Sequence, residues 1–363
     1  MTIAILATGD EIIHGDTLNT NAHNIAHILC SDGLPLGMQL SCSDREQDII
    51  HGLNFLRAQH NIIILIGGLG PTSDDRTRFA LAHCLDKELV EFPEASMHIE
   101  NRLNRAGLEM NAGNRQQALF PTQAVILPNP FGTAMGCYYI HEEHIYVLLP
   151  GPPRECLPMF QQHVLPLLNK TQHSTKKIYK WRLFGVPEGE IAQILDDALQ
   201  HLDCETGYRL EMPYVEFKVR CEQHDEAKVK AVVDPLVASY IISPPEHKAS
   251  TRLRDKLRNM SESVVIIDNV TGGVLQTLLH KPETHHVLHF YDKDDCRIKF
   301  YISGLEAYWK DEFSSQVSIT IKYKNDQQEG SETFQLPFRS PLVVEYAAEW
   351  LSFRLFHLID QLH

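Results

Sequence analysis

No stretch of this chain approaches a membrane span. The longest purely aliphatic run is Ile62 to Ile66, against the ~20 apolar residues that a spanning helix needs. A basic n-region is also missing, and MTIAILATGDEII meets Gly9-Asp10-Glu11 too early for a secretory leader. Positive charge is scarce, with 33 Lys and Arg against 47 Asp and Glu, a net charge of −14. Such a chain repels phosphate backbones, so nucleic acid is not an expected partner and neither is a membrane. A local site for a small anion stays open, because backbone amides supply a positive field. The eight cysteines (Cys30, Cys42, Cys84, Cys137, Cys156, Cys204, Cys221 and Cys296) include no CxxC pair and no zinc-type companion histidines. Reduced thiols in a cytoplasmic protein are the expectation. The His285-His286-x-x-His289 cluster lacks the acidic partner of a metalloprotease helix. Repeats and low-complexity tracts are absent. What is present is ordinary for a globular protein, 43% hydrophobic and 22% charged residues. At ~150 residues per domain, the 363 residues suggest two or three domains.

Residues 1–170 alternate strand and helix patterns. Strands are expected at Thr2 to Thr8, Leu34 to Ser43 and Asn61 to Ile66, and helices at Thr20 to Ser31, Arg45 to Gln59 and Asp75 to Leu85. That β-α-β-α-β-α order predicts a parallel sheet covered on both faces. Shorter strands follow at Val125 to Leu127, Ala134 to Ile140 and Ile145 to Leu149, then a closing helix from Arg154 to Leu168. Polar Asn169 to Lys177 reads as a linker. Residues 178–243 predict a small α+β unit of strand, helix, two strands and helix, ended by Pro244-Pro245. Residues 250–363 form a third region, with a Thr271-Gly272-Gly273 turn and an amphipathic last helix from Pro341 to Leu362.

The strongest local signal is Gly67-Gly68-Leu69-Gly70-Pro71-Thr72-Ser73-Asp74-Asp75-x-Thr77. It leaves a buried strand at the carboxyl edge of a parallel sheet, where ligands of open α/β folds bind. Glycines allow close backbone approach and turn N–H groups toward an anion, and the following helix start favours phosphate. Two aspartates beside phosphate make sense if a divalent cation bridges carboxylate and phosphate oxygens. The plainer alternative is a tight turn with Ser73 or Asp74 as N-cap. A cap alone does not need three glycines, a proline and two carboxylates. The second signal is Thr8-Gly9-Asp10-Glu11, with Gly15 and Asn19-Thr20-Asn21. Glu11 is a candidate metal ligand or general base. Asn19 and Asn21 are candidates to bond a ribose, phosphate or base, or to cap the helix. The third comprises Asn114-Arg115-Gln116-Gln117-Ala118, Leu127-Pro128-Asn129-Pro130-x-Gly132-Thr133-Ala134-x-Gly136 and Leu149-Pro150-Gly151-Pro152-Pro153-Arg154-Glu155. Arg115 and Arg154 are candidates either to clamp phosphate or to make structural ion pairs.

Five of these stretches, GDEIIHGDTLNTNAHNIA, IGGLGPTSDDRT, NRQQALFP, LPNPFGTAMG and LLPGPPRE, occur in the order that identifies residues 1–170 as resembling the N-terminal domain of the CinA family. The resemblance implies an α/β fold: a MoeA/MogA-like three-layer domain with a parallel-rich sheet. A small KH-like α+β domain (178–243) and a degenerate α/β C-terminal deamidase-like domain (250–363) follow. It implies hydrolysis of a nucleotide diphosphate such as ADP-ribose to AMP and ribose 5-phosphate, with a divalent cation (Mg, Mn or Co) and potassium as a further candidate. The metal acids fall on Asp74 and Asp75, with Glu11 nearby. The diphosphate falls on the loop Gly67, Gly68, Leu69, Gly70, Pro71 and Thr72 and its backbone amides, with Gly9 and Thr77 beside them, and the nucleotide pocket on Asn129, Gly132 and Thr133. One departure is Gln116, where family members often carry lysine. In the third region, Ile267-Asp268-Asn269-Val270-Thr271-Gly272-Gly273 stands where the family has a serine-bearing motif for removing the amide of nicotinamide mononucleotide. Asn269 replaces the nucleophile, which implies a dead site. The opposing reading gives Asn269 and His285, His286 or His289 a new reaction. The KH-like unit offers Gly185-Val186-Pro187-Glu188-Gly189, acidic and not a GxxG, so it implies a spacer or dimer arm rather than RNA binding. Family habit implies a homodimer.

Overall fold

The computed structural model describes residues 2–34, 36–171, 176–312, 316–337 and 342–362. It divides into two compact units, Met1–Lys177 and Ile178–His363.

The first unit runs β1 (Ile3–Thr8), α1 (Asp10–Ile13), α2 (Thr20–Ser31), β2 (Leu36–Cys42), α3 (Glu46–Arg57), β3 (Ile62–Ile66), α4 (Thr77–Leu85), β4 (Leu89–Glu91), α5 (Pro93–Arg105), α6 (Ala112–Gln116), β5 (Leu119–Pro121), β6 (Val125–Leu127), β7 (Gly136–His141), β8 (His144–Leu149), α7 (Pro153–Met159) and α8 (Leu165–Thr171). Its main sheet has the order β2-β1-β3-β8-β7-β6. β2, β1, β3 and β8 are mutually parallel, while β7 runs antiparallel to both of its neighbours, β8 and β6. β1 and β3 are apolar throughout because both faces are covered. Ala4, Leu6, Ile63 and Leu65 face a core shared with α3, α4 and α5. Ile3, Ile5, Ile62, Ile64 and Ile66 face one shared with α2 and α7. α2 starts and stops where its periodicity places it, because the Asn19 side chain accepts from Ala22 N at 3.1 Å and caps it. The closing helix carries a π turn at Phe160–Val164 between α7 and α8 and reaches Thr171, into the expected linker. Residues 172–175 of that linker lie outside the described residues.

The second unit holds β9 (Lys176–Phe184), α9 (Glu188–Leu199), β10 (Cys204–Glu211), β11 (Tyr214–Glu222) and α10 (Glu226–Val237), forming a three-stranded sheet of order β10-β11-β9. α11 (Ala249–Arg258), β12 (Val264–Asp268), α12 (Val274–Leu279), β13 (Leu288–His289), β14 (Ile298–Gly304), α13 (Glu306–Trp309), β15 (Gln316–Lys324), β16 (Glu329–Pro337) and α14 (Val343–Leu362) follow. Their sheet has the order β13-β12-β14-β15-β16. Pro341, expected at the start of the last helix, lies outside the described residues. The core under α14 includes Phe184 and Tyr214 from the smaller sheet. Buried Glu349 of α14 accepts from Tyr214 Oη at 2.7 Å, Ser250 Oγ at 2.5 Å and Ser250 N at 3.1 Å. Among the described residues, no helix is long and apolar enough to cross a membrane.

Candidate functional site

Four parallel strands end at one edge of the first sheet, and the segments that leave them wall a cavity of about 410 Å³. β1 delivers Gly9, Glu11, Asn19 and Asn21; β3 delivers Gly67, Gly68, Leu69, Gly70, Pro71, Asp74 and Asp75. Thr133 lies on the wall as well. The structure therefore brings together most of the residues marked by the first two sequence signals.

The glycine loop is organised by what holds it from behind. Thr77 Oγ1 donates to Gly67 O at 2.8 Å, and Thr77 N to Gly68 O at 3.2 Å. The Arg78 guanidinium donates to Leu69 O at 2.9 Å and to Gly70 O at 3.3 Å. Gln117 adds a 3.4 Å bond to Leu69 O, and Gln116 a 2.7 Å bond to Thr72 O. In a trans peptide the N–H points opposite the carbonyl of the preceding residue. Carbonyls tied to the buried side of the loop thus turn the amides of Gly68, Leu69 and Gly70 the other way. Among the described residues these three amides have no acceptor. They form a concavity of oriented donors suited to an anion. The amides of Gly67 and Thr72 are spent, on Leu149 O and on Asp75 Oδ2, so the expected cradle of residues 67–72 narrows to three donors. Gly67 and Gly68 have φ of +101° and +63°, and a Cβ on Gly68 would sit 2.2 Å from Thr77 Oγ1.

The helix after this loop starts at Thr77, two residues later than its sequence suggests. The reason is Asp75. Its Oδ2 accepts from Thr72 N at 2.9 Å and Thr72 Oγ1 at 2.5 Å, closing a turn before the helix begins. The positive field therefore comes from oriented loop amides rather than from a helix end. Asp74 is exposed, and hydrogen bonding from Thr72 and from its own backbone holds its carboxyl below the usual range.

Two wall acids carry no assigned role in the sequence reading, although Glu155 closes its third motif. Asp44 follows β2, the neighbour of β1, and accepts from Asp10 N at 2.9 Å. Burial raises its pKa, the Asp10 amide works against that, and Glu11, Asp10 and Asp74 raise it further. The available signal was an acid just past a parallel strand. Glu155 is buried, and its Oε2 accepts from Asn129 Nδ2 at 2.8 Å. Among the described residues, the wall thus carries Glu11, Asp44, Asp74, Asp75 and Glu155 and no lysine or arginine. Among the described residues, no three His, Cys, Asp or Glu side chains are assembled to hold a metal ion unaided.

Six expected contact residues stand off the wall. Thr77 and Thr72 brace the loop, as above. Asn129 is fully committed: its Nδ2 reaches Ala134 O and Glu155, and its Oδ1 accepts from the amides of Phe131 at 3.0 Å and Gly132 at 2.9 Å. Gly132 is needed for space, since a Cβ there would lie 1.8 Å from Glu155 Oε2. Arg115 is exposed, and α6 does not present it to the cavity. The Arg154 side chain is 80% exposed, with Glu155 Oε1 at 3.8 Å. Neither arginine lines the cavity in this arrangement.

The turn after β12 is built differently. Asp268 Oδ1 accepts from Val270 N and Thr271 N, both at 2.9 Å. Trp309 Nε1 donates to Val270 O at 3.0 Å, and its ring lies 2.7 Å from where a Cβ on Gly272 would be. Asn269 is exposed, and its amide donates to Ile302 O at 3.1 Å. His280 Nε2 and His285 Nδ1 pair at 2.9 Å, and His289 lies beside Lys293 at 3.3 Å.

Residues 4–170 match the family described as "Probable molybdopterin binding domain". A "CinA-like protein" of Geotalea uraniireducens is 30% identical over 287 residues, covering 76% of this chain and 68% of that relative. A "CinA-like protein" of Geobacter sulfurreducens is 31% identical over 289 residues, with 76% and 69% covered. Among solved structures, a CinA protein "with unknown function" from Thermoplasma acidophilum is 25% identical. It covers 46% of this chain and 97% of its own, with a TM-score of 0.43.

Proposed function

We propose that this chain, which belongs to the family of CinA-like proteins, hydrolyses the diphosphate bond of ADP-ribose or a similar nucleotide to AMP and ribose 5-phosphate with the help of a divalent cation. The observation that carries the proposal is the pairing of two features in one cavity. Three unengaged loop amides invite an anion, while five wall carboxylates with no basic side chain would repel one unless a cation intervenes.

Hard carboxylate oxygens suit magnesium or manganese, which keep waters and complete their shell with substrate phosphate. Asp74 and Asp75 are the residues that would hold the ion, with water and substrate phosphate completing its shell. Its contribution when bound is to neutralise charge on the phosphoryl group and make the attacking water more acidic. The amides of Gly68, Leu69 and Gly70 hold the diphosphate oxygens. Glu11, which lines the cavity, would accept the proton of the attacking water. Water adds to one phosphorus, the bridging P–O bond breaks, and the other phosphate leaves with the bond's electrons. The turn after β12 has no hydroxyl at Asn269 and is proposed to be inactive toward nicotinamide mononucleotide.

The test is a metal-by-substrate screen on the purified chain, reading AMP and ribose 5-phosphate. Release that requires a divalent cation and disappears in Asp74→Asn supports the proposal. The match to a molybdopterin-binding family favours a second reading, a cavity that holds a nucleotide or pterin without turning it over. Tight ADP-ribose or pterin binding without AMP release under any metal would select it.

A further inference from the structure

Arg78 is fully buried, and among the described residues no carboxylate accepts a hydrogen bond from it. Its guanidinium is spent on the carbonyls of Leu69 and Gly70, its Nε has no partner, and its Cζ lies 5.9 Å from the centre of the Phe120 ring. Asp75 favours its charged form from beyond hydrogen-bond contact, and a buried charge with no hydrogen-bonded ion partner is costly. Two neutral donors, Gln117 and Thr77, already brace the same loop from the same side, so holding carbonyls does not by itself require a cation. A cation there does two things that a neutral donor cannot. It lies directly behind the amides that face the cavity, and it sets a positive potential in a low-dielectric interior, where charge acts most strongly.

We propose that Arg78 is the positioning residue of the anion cradle and the fixed positive charge that the cavity wall lacks. Through Leu69 O it turns the Gly70 amide toward the ligand, and from beneath the loop it offsets the wall carboxylates. The assignment rests on reading the cavity as a diphosphate site. Oxygen-rich diphosphates gain from it and neutral nucleosides do not.

Calorimetric titration of the full chain with inorganic pyrophosphate and magnesium tests it apart from hydrolysis. Arg78→Gln keeps a donor for Leu69 O and removes the charge, and is expected to weaken binding about tenfold or more. Gln117→Met removes the other donor to Leu69 O and is expected to stay within about threefold. Equal losses in the two variants, or no loss in Arg78→Gln, would overturn the assignment. So would a wild type that does not bind pyrophosphate. Should Arg78→Gln not fold, Arg78→Lys provides the second reading. A buried lysine loses its proton more readily than arginine, and the titratable groups facing this position are Asp75 and Cys137. Affinity of Arg78→Lys relative to wild type is expected to fall between about pH 7 and pH 10. A constant ratio across that range would refute the role of charge. AMP release by the wild type judges the hydrolase reading separately. A chain that binds pyrophosphate through Arg78 but never hydrolyses ADP-ribose keeps this inference and loses that one.

Discussion

The chain twice ends a buried parallel strand in a glycine turn, after β3 and after β12, and the two turns are wired in opposite senses. After β3, side chains capture the carbonyls, and the amides of Gly68, Leu69 and Gly70 are left over. After β12, the Asp268 carboxylate captures the amides of Val270 and Thr271, and Trp309 packs over Gly272. The first turn leaves three donors facing the cavity. The second supplies its own acceptor in Asp268. Glycines after a strand announce a turn, while the partners of the peptide groups decide whether the turn is a site.

The largest expected effect separates the two turns directly. Gly68→Ala would thrust a Cβ to within 2.2 Å of Thr77 Oγ1, and should reduce kcat/KM for ADP-ribose by about 100-fold or more, as loss of preorganised donors does. Gly273→Ala meets open space at a φ of +92°. It should cost about 1 kcal/mol of stability in urea unfolding and leave turnover unchanged. Equal loss of turnover in both would break the contrast.

Next come the acids. Asp74→Asn should lower turnover about 100-fold with a urea midpoint shifted by less than about 0.5 kcal/mol, since Asp74 is exposed. Asp75→Asn should reduce both turnover and stability, the latter by about 1 kcal/mol, because Asp75 also closes the Thr72 turn. Trp309→Ala should destabilise the chain by about 1–2 kcal/mol. Neither it nor the wild type should release ammonia from nicotinamide mononucleotide; ammonia from either would make the second turn a site after all.

Two smaller effects sharpen the first turn. Gln116→Lys keeps a donor for Thr72 O and adds a cation beside an acidic wall, so KM for ADP-ribose should fall about threefold. At the neighbouring face of α4, burial raises the Glu46 pKa, but hydrogen bonds from Arg76 and His83 outweigh it and hold the carboxyl below its ordinary range. A depressed folded pKa contributes stability above the unfolded value of about 4.3 and loses it as pH falls through the folded value. Unfolding midpoints below about pH 4 should therefore drop further in the wild type than in Glu46→Gln, by about 0.5 kcal/mol.

Much of the fold was legible because the pattern was one-dimensional. β1 and β3 are uninterrupted apolar runs, and α2 carries its cap in Asn19. The helix Pro93–Arg105 is harder to read, since only Ala95, Ile99 and Leu103 are buried in it. The cavity was legible through its glycines and acids. What stayed hidden depends on where side chains point. Arg78 resembles any solvated arginine early in a helix until its carbonyl partners fold over it. Asn129 resembles a ligand contact until its amide is seen holding Phe131, Gly132, Ala134 and Glu155. Asp44 gains meaning only from strand order.

The Glu349 carboxylate, sunk among Tyr214 and Ser250, has a practical corollary for anyone dissecting the second unit. Its hydrogen bonds join the closing helix to a strand of the smaller sheet and to the start of α11, and Phe184 and Tyr214 complete the core beneath it. A truncation at Pro244-Pro245 would strip that acid of its phenol, leave it the Ser250 donors alone, and open the core that Phe184 and Tyr214 complete. The fragment after the prolines should then be protease-sensitive, and expression of the unit from residue 178 onward is the cut that respects the wiring.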